Sequence, residues 1–141
     1  MDFEKLSKFL ADAKKSTYAK GEGKSKYSEG DFDYTDNYHG ESIFIGQEIV
    51  FEKKKAVWGM NYYGMITEET AKNEEVFKFL RKALMKVEEK KPFRGPENFD
   101  DKDFSYSCNS EGDLNKFYGV ERIFYKGLQV FKLEFNGGIL N

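Results

Sequence analysis

One cysteine, Cys108, stands among 141 residues, so no internal disulfide can form. With no basic partner near it in sequence, that thiol reads as a half-buried strand residue rather than a nucleophile. A single histidine, His39, leaves no second imidazole for a catalytic relay or a zinc constellation, and no metal site is expected. Its expected place is an exposed turn after the first strand. The two prolines flank Phe93-Arg94-Gly95, a stretch that must end any helix running into it. No apolar run approaches the roughly 20 residues that cross a bilayer, and no membrane partner is expected. Met1-Asp2-Phe3-Glu4 has neither the basic nor the apolar part of a secretory signal, so the cytoplasm is the expected address. The formal charge of −2 carries no basic excess, which argues against a nucleic-acid partner. Gly23-Lys24-Ser25 lacks the earlier glycine of a phosphate loop and follows a helical pattern instead of a strand. Asp31-x-Asp33-x-Thr35-Asp36 lacks the glycine of a calcium loop. No cofactor is expected, and no catalytic constellation is recognisable.

What the chain does have is flat, rigid side chains and a repeat. Aromatic residues make up 17% of it, 14 of them Phe and 9 Tyr, enough to fill a core or line a pocket. Its length fits one domain over 1–141, burying about two-thirds of the unfolded surface. Asp31-Phe32-Asp33-Tyr34 returns as Asp103-Phe104-Ser105-Tyr106, and Asn37 and Gly40 return as Asn109 and Gly112. One further residue of shift aligns Phe44, Gly46, Glu48 and Val50 with Phe117, Gly119, Glu121 and Ile123. Self-similarity of this kind predicts an internal repeat, 1–65 and 74–138.

Phe3, Leu6, Phe9, Leu10 and Ala13 recur at helical spacing, which predicts a helix over 2–16. The Gly-, Lys- and Ser-rich stretch from Thr17 to Glu29 reads as a loop. Strands are predicted at 31–38, 43–52 and 56–65, a second helix at 74–89, and strands at 103–110, 116–126 and 128–136. The expected fold is α+β, a duplicated helix-strand-strand-strand unit with pseudo-two-fold symmetry. Its sheet is largely antiparallel and carries both helices on one face.

Lys53-Lys54 and Lys126-Gly127 read as two-residue hairpin turns, which sets a register. Val50 then faces Val57, Glu48 faces Gly59, Gly46 faces Asn61, and Glu121 faces Lys132. In that register Ile45, Ile49, Phe51, Trp58, Met60 and Tyr62 form the core. Tyr118, Val120, Phe124, Phe131, Leu133 and Phe135 do so in the second copy. Glu48 and Glu121 would lie on the face away from the helices. A hollow at Gly59, lined by Phe44, Asn61 and Tyr63 around Glu48, would suit a small ligand with aromatic or cationic character. Arg94, held on its stiff loop, could clamp an anion.

Val57-Trp58-Gly59-Met60-Asn61-Tyr62-Tyr63-Gly64, the Pro92-Phe93-Arg94-Gly95-Pro96 loop and the ending Phe135-Asn136-Gly137-Gly138 resemble a family of uncharacterised prokaryotic domains of unknown function. Members of that family sometimes follow an Xre-type helix-turn-helix, so the resemblance implies a sensor or effector domain. The first helix here leads straight into the repeat, and no such reader is expected within the chain. The expected function is therefore a small-molecule-binding module. A protein-interaction or homodimerisation module is the alternative, and a hydrolase or isomerase with Glu48 or Glu121 as general base is a weaker one.

Overall fold

The computed structural model describes residues 1–141, ordered as a helix and four strands, then a second helix and four more strands. Helix α1, Phe3–Ser16, starts where the Asp2 carboxylate accepts the Lys5 amide at 3.1 Å. Glu4 sits in its first turn and Lys14 and Lys15 in its last, the arrangement a helix dipole favours. Thr17 donates its hydroxyl to the Ala13 carbonyl at 2.9 Å, and a 310 turn, Tyr18–Lys20, closes on Gly21 in the left-handed region.

The stretch expected as a loop holds more structure than this turn. Strand β1, Lys26–Glu29, pairs with β2, Phe32–Gly40. Four residues with one ring, Tyr27, on Phe9 at 5.6 Å give too short an alternation to be read from sequence. Strands β3, Ile43–Glu52, and β4, Lys55–Ile66, complete the first half. His39 lies within β2, exposed, and not in the turn beyond it. Helix α2, Asn73–Leu84, stops short of its expected end. Its backbone tightens to three-residue bonds at Lys86 and Val87, which turns Val87 inward at 5% exposure. Strands β5, Asn98–Asp101, β6, Phe104–Asp113, β7, Lys116–Tyr125, and β8, Leu128–Ile139, follow.

All eight strands form one antiparallel sheet in the order β1-β2-β3-β4-β8-β7-β6-β5. Its seam is the β4–β8 pair, running from Trp58–Ile139 to Ile66–Phe131. A β-carbon at Gly137 would lie 2.1 Å from the Gly59 carbonyl oxygen, so the close approach there needs glycine. Phe9 of α1 meets Phe32 at 5.0 Å, and Phe79 of α2 meets Phe104 at 5.0 Å. No helix is long and apolar enough to cross a membrane.

The six expected strands are present, the short edge strands β1 and β5 are additions to them, and both hairpins depart from the expected register. Phe51 pairs with Ala56 while Val50 pairs with Trp58, so Val57 is an extra residue, a β-bulge. Likewise Phe124 pairs with Gln129 and Ile123 with Phe131, which makes Val130 the extra residue. One inserted residue exchanges the faces of everything beyond it, because side chains alternate with period two. The buried, inner face therefore joins Glu48 and Val50 to Trp58, Met60 and Tyr62. In the second half it joins Phe117, Glu121 and Ile123 to Phe131, Leu133 and Phe135. Ile45, Ile49 and Tyr118 turn outward, not into the core, and Glu121 faces Leu133 instead of Lys132.

Candidate functional site

Buried charge on the inner face marks the site. Asp36 on β2 lies directly opposite Glu48 on β3, and the two are 7% and 2% exposed. Both were carried inward by alternation, Asp36 in step with Phe32 and Tyr34, Glu48 in step with Val50. Glu48 Oε1 accepts from Lys14 Nζ at 2.7 Å and from the Tyr34 hydroxyl at 2.6 Å. Lys14 reaches in from the last turn of α1, donates also to the Phe93 carbonyl at 2.5 Å, and sits 5.9 Å over the Trp58 ring. Asp36 Oδ1 accepts the Tyr62 hydroxyl at 2.6 Å.

A matching cluster lies across the seam. Glu121, fully buried on β7, accepts from Arg94 through both oxygens, Nη2 to Oε1 at 2.8 Å and Nε to Oε2 at 3.1 Å. The Tyr106 hydroxyl donates to Oε2 at 2.5 Å and accepts the Gly95 amide at 2.8 Å. Arg94 also lies 5.6 Å from the Tyr62 ring centre, which connects the two clusters. Its anion is thus an internal carboxylate, and the fork geometry that suited it to a clamp is spent on Glu121.

Burial raises the Asp36 carboxyl to about 6, with the Glu48 charge adding to the rise. Burial lifts the Tyr34 hydroxyl well above its ordinary range, again with Glu48 adding to it, and Tyr62 rises through burial and Asp36. Burial opposes the charge on Arg94, but Glu121 outweighs it and holds the guanidinium firmly protonated. Cys108, in the position that Asp36 holds in the first half, is a partly buried free thiol pushed up to about 12, first by burial and then by Glu121.

Each cation of the cluster has one carboxylate: Lys14 has Glu48, and Arg94 has Glu121. Asp36 forms no ion pair, though Arg94 and Lys14 line the same cleft and draw its carboxyl downward against the effect of burial. Its Oδ2 and the Oε2 of Glu48 take no hydrogen bond from the protein. A cleft of about 20 Å³, lined by Lys14, Tyr18, Tyr34, Asp36, Glu48, Phe93 and Arg94 among others, opens beside them. That is room for about one water-sized group. The arrangement can accept hydrogen bonds from a donor entering the cleft, and Asp36 can take up or release a proton close to neutral pH. No group of three His, Cys, Asp or Glu side chains is placed to hold a metal ion.

The structure divides the residues expected to share one hollow. Glu48, Glu121, Arg94 and Phe44 belong to the inner side, Phe44 meeting Tyr62, Phe77 and Phe131 at 6.1 Å each. Gly59, Asn61 and Tyr63 lie on the outer face, brought there by the bulge at Val57. The expectation that the two glutamates face away from the helices is overturned, since Lys14 of α1 is bonded to Glu48. Sequence reasoning missed Lys14, Asp36 and the pairing of three tyrosines with acids. The signal was present: Asp36 shares its alternation with Phe32 and Tyr34, and Lys14 lies one turn beyond Leu10 on the buried side of α1.

No curated protein and no solved structure matches the chain. A family model described as a domain of unknown function (DUF5680) matches residues 36–140. That span takes in Asp36, Glu48, Arg94 and Glu121 and leaves out Lys14 and Tyr34. The chain therefore belongs to the DUF5680 family of domains of unknown function.

Proposed function

We propose that this protein is a small-molecule-binding module of the sensor or effector kind, and that its ligand enters the cleft beside Asp36 and Glu48. One observation carries the reading. Asp36 is a nearly buried carboxylate in no ion pair, beside a glutamate whose second oxygen is also unengaged. With Glu121, the three acids of the two clusters outnumber the cations Lys14 and Arg94. Neither free oxygen is fully enclosed, so solvent reaches both through the cleft, and a donor entering there would take the place of water. A cationic head group with N–H donors fits both the charge and the hydrogen bonding, and Tyr18, Tyr34 and Phe93 give it aromatic walls. The cleft admits only a compact head, so the rest of the ligand passes outward beside Tyr18, which meets the half-exposed ring of Tyr38 at 6.4 Å.

The architecture supports this reading. The order of one helix and four strands occurs twice, and the strand order reads alike from either edge. Both hairpins carry the bulge at matching places, Val57 and Val130. We take the chain as one domain made by internal duplication, with both helices over the inner face and the cleft between the halves. The resemblance to domains that sometimes follow an Xre-type helix-turn-helix favours a sensing role. A glutamate base for hydrolysis or isomerisation gains little, because Glu48 and Glu121 are each already bonded to a cation.

The test is thermal unfolding with a panel of small organic cations, neutral aromatic molecules and anions, on the native chain and on Asp36→Asn. Binding to the native state alone raises stability by about 2.7 kcal/mol at a hundred times the dissociation constant. The expected result is a shift with cations that Asp36→Asn abolishes. Shifts that persist unchanged in the variant would place the ligand elsewhere, and no shift with any class would sink the reading.

A further inference from the structure

The outer face of the sheet is open, and it is not a polar surface. Ile43, Ile45, Tyr63 and Tyr118 are 54%, 57%, 47% and 60% exposed there. Through the middle of this apolar area runs a row of amides, one per strand. Asn37, Gln47, Asn61 and Asn136 are register partners across β2, β3, β4 and β8. Tyr118 of β7 continues the row, which ends on the exposed Glu111 of β6, outside the amide-bearing stretch. Gln47 Nε2 donates to Asn61 Oδ1 at 2.8 Å, and Asn61 Nδ2 donates to Asn136 Oδ1 at 3.3 Å. Grooves of about 520 and 600 Å³ flank the row, and Gln47, Asn61 and Asn136 line both.

We propose that this face is the interface of an isologous homodimer, in which the amide row of one copy lies against the amide row of the other with the two-fold axis running along it. The register supports that axis residue by residue. Rotation about the row brings the position two residues before it on each strand over the position two residues after it. Ile45 then meets Ile49 of the second copy, and Tyr63 meets Gly59, where the missing side chain leaves space. Glu134 comes over Gly138, whose register partner is Lys116, so an acid lands beside a base. Apolar meets apolar, large meets small and negative meets positive, all from one surface. A partner of one charge sign would not match a face that carries both.

The amides suit their own copies for the same reason. Each holds a donor and an acceptor, so each can pair with its counterpart, while any other register buries them unpartnered. The extent is also sufficient. The six long strands, of nine to twelve residues, present about 1,000 Å² at about 4.8 Å between strands and 3.3 Å per residue. A stable interface buries about 800 Å² per partner. Two such sheets would pack in the aligned manner of a β-sandwich, about 10 Å apart.

Sedimentation equilibrium of the intact chain tests this, alongside Gly59→Arg, Tyr63→Glu and the variant carrying both. A β-carbon at Gly59 would have the flexible Ile49 and Leu140 side-chain ends at 3.0 and 3.8 Å and the Glu48 carbonyl oxygen at an ordinary contact distance of 3.4 Å, so the protomer can take the change once Ile49 shifts. Circular dichroism checks that each variant stays folded. The native chain is expected at the mass of two chains and each single variant at the mass of one. The double variant is expected to regain the dimer, because its new acid sits over the second copy's new base. A native chain that is monomeric up to its solubility limit overturns the proposal. So do single variants that stay dimeric, and a folded double variant that stays monomeric refutes the axis.

Discussion

Asp36 is the residue on which the most depends. It sits 7% exposed with Tyr62 as its only hydrogen-bond donor and in no ion pair, and its carboxyl is raised to about 6 from an ordinary 3.8. The unfolded chain therefore gives up this proton near pH 4 and the folded chain near pH 6. Between those values the native state holds more protons, so stability falls as pH rises through the window and levels above it. The expected loss is of order 3 kcal/mol, at 1.36 kcal/mol per unit. Asp36→Asn keeps an acceptor for Tyr62 and removes the buried charge. Chemical denaturation between pH 4 and 8 should show that slope in the native chain and a flatter profile in the variant, which is the more stable of the two at pH 8. Arg94 and Glu121 behave in the opposite sense, because their charges cancel within one bidentate pair. Arg94→Ala strands a fully buried carboxylate and is expected to cost about 3–5 kcal/mol in urea unfolding. Arg94→Met combined with Glu121→Leu should recover most of that loss. If the double variant is as unstable as the single one, packing and not charge explains the site.

At the scale of elements, the two hairpins form an internal comparison. Both connect their strands through two residues in the left-handed region, Lys53 and Lys54 in the first, Lys126 and Gly127 in the second. Such a turn matches the twist of the flanking strands but penalises any residue with a β-carbon. Lys54, at φ 68, bears a strain that Gly127 avoids. Lys54→Gly is expected to stabilise the protein by about 0.5–1 kcal/mol, read as a higher melting midpoint. Lys126-Gly127 was legible as a turn because of its glycine, and Lys53-Lys54 was legible mainly through it. The bulges at Val57 and Val130 were not legible. A valine in a largely apolar strand looks the same whether paired or extra, and only the competition between two possible faces decides. The bulge keeps Trp58, Met60 and Tyr62 inside but joins them to Phe44 and Val50 in place of Ile45 and Ile49, at the cost of carrying Glu48 inward. Lys14 and Tyr34 offset that cost.

For the whole molecule, the seam between β4 and β8 makes one sheet of two halves. The Gly137 position brings the backbones of β8 and β4 too close for a side chain. Gly137→Val should force the strands apart and lower stability by more than about 3 kcal/mol, with the loss seen in both halves by hydrogen exchange. A continuous sheet and a core cluster drawn from both halves also predict a single unfolding transition by calorimetry. Two separate transitions would overturn the reading as one domain. The same seam sets the centre of the outer amide row, since Asn61 of β4 and Asn136 of β8 meet across it.

Taken alone, the sequence determined two helices, six of the eight strands, the order in which they recur and the burial of Trp58. Hydrophobic periodicity and turn chemistry are local, so they can be read one segment at a time. It also held the signs of a buried acid, in Asp36 and Lys14 lying in step with apolar neighbours. What only the tertiary structure decided is which strand face became the inside. That choice depends on a one-residue bulge whose stability comes from distant partners, Lys14 from α1 and Arg94 from the loop after α2. Because those partners lie 34 and 27 residues from their glutamates, no pattern within a strand could reveal them.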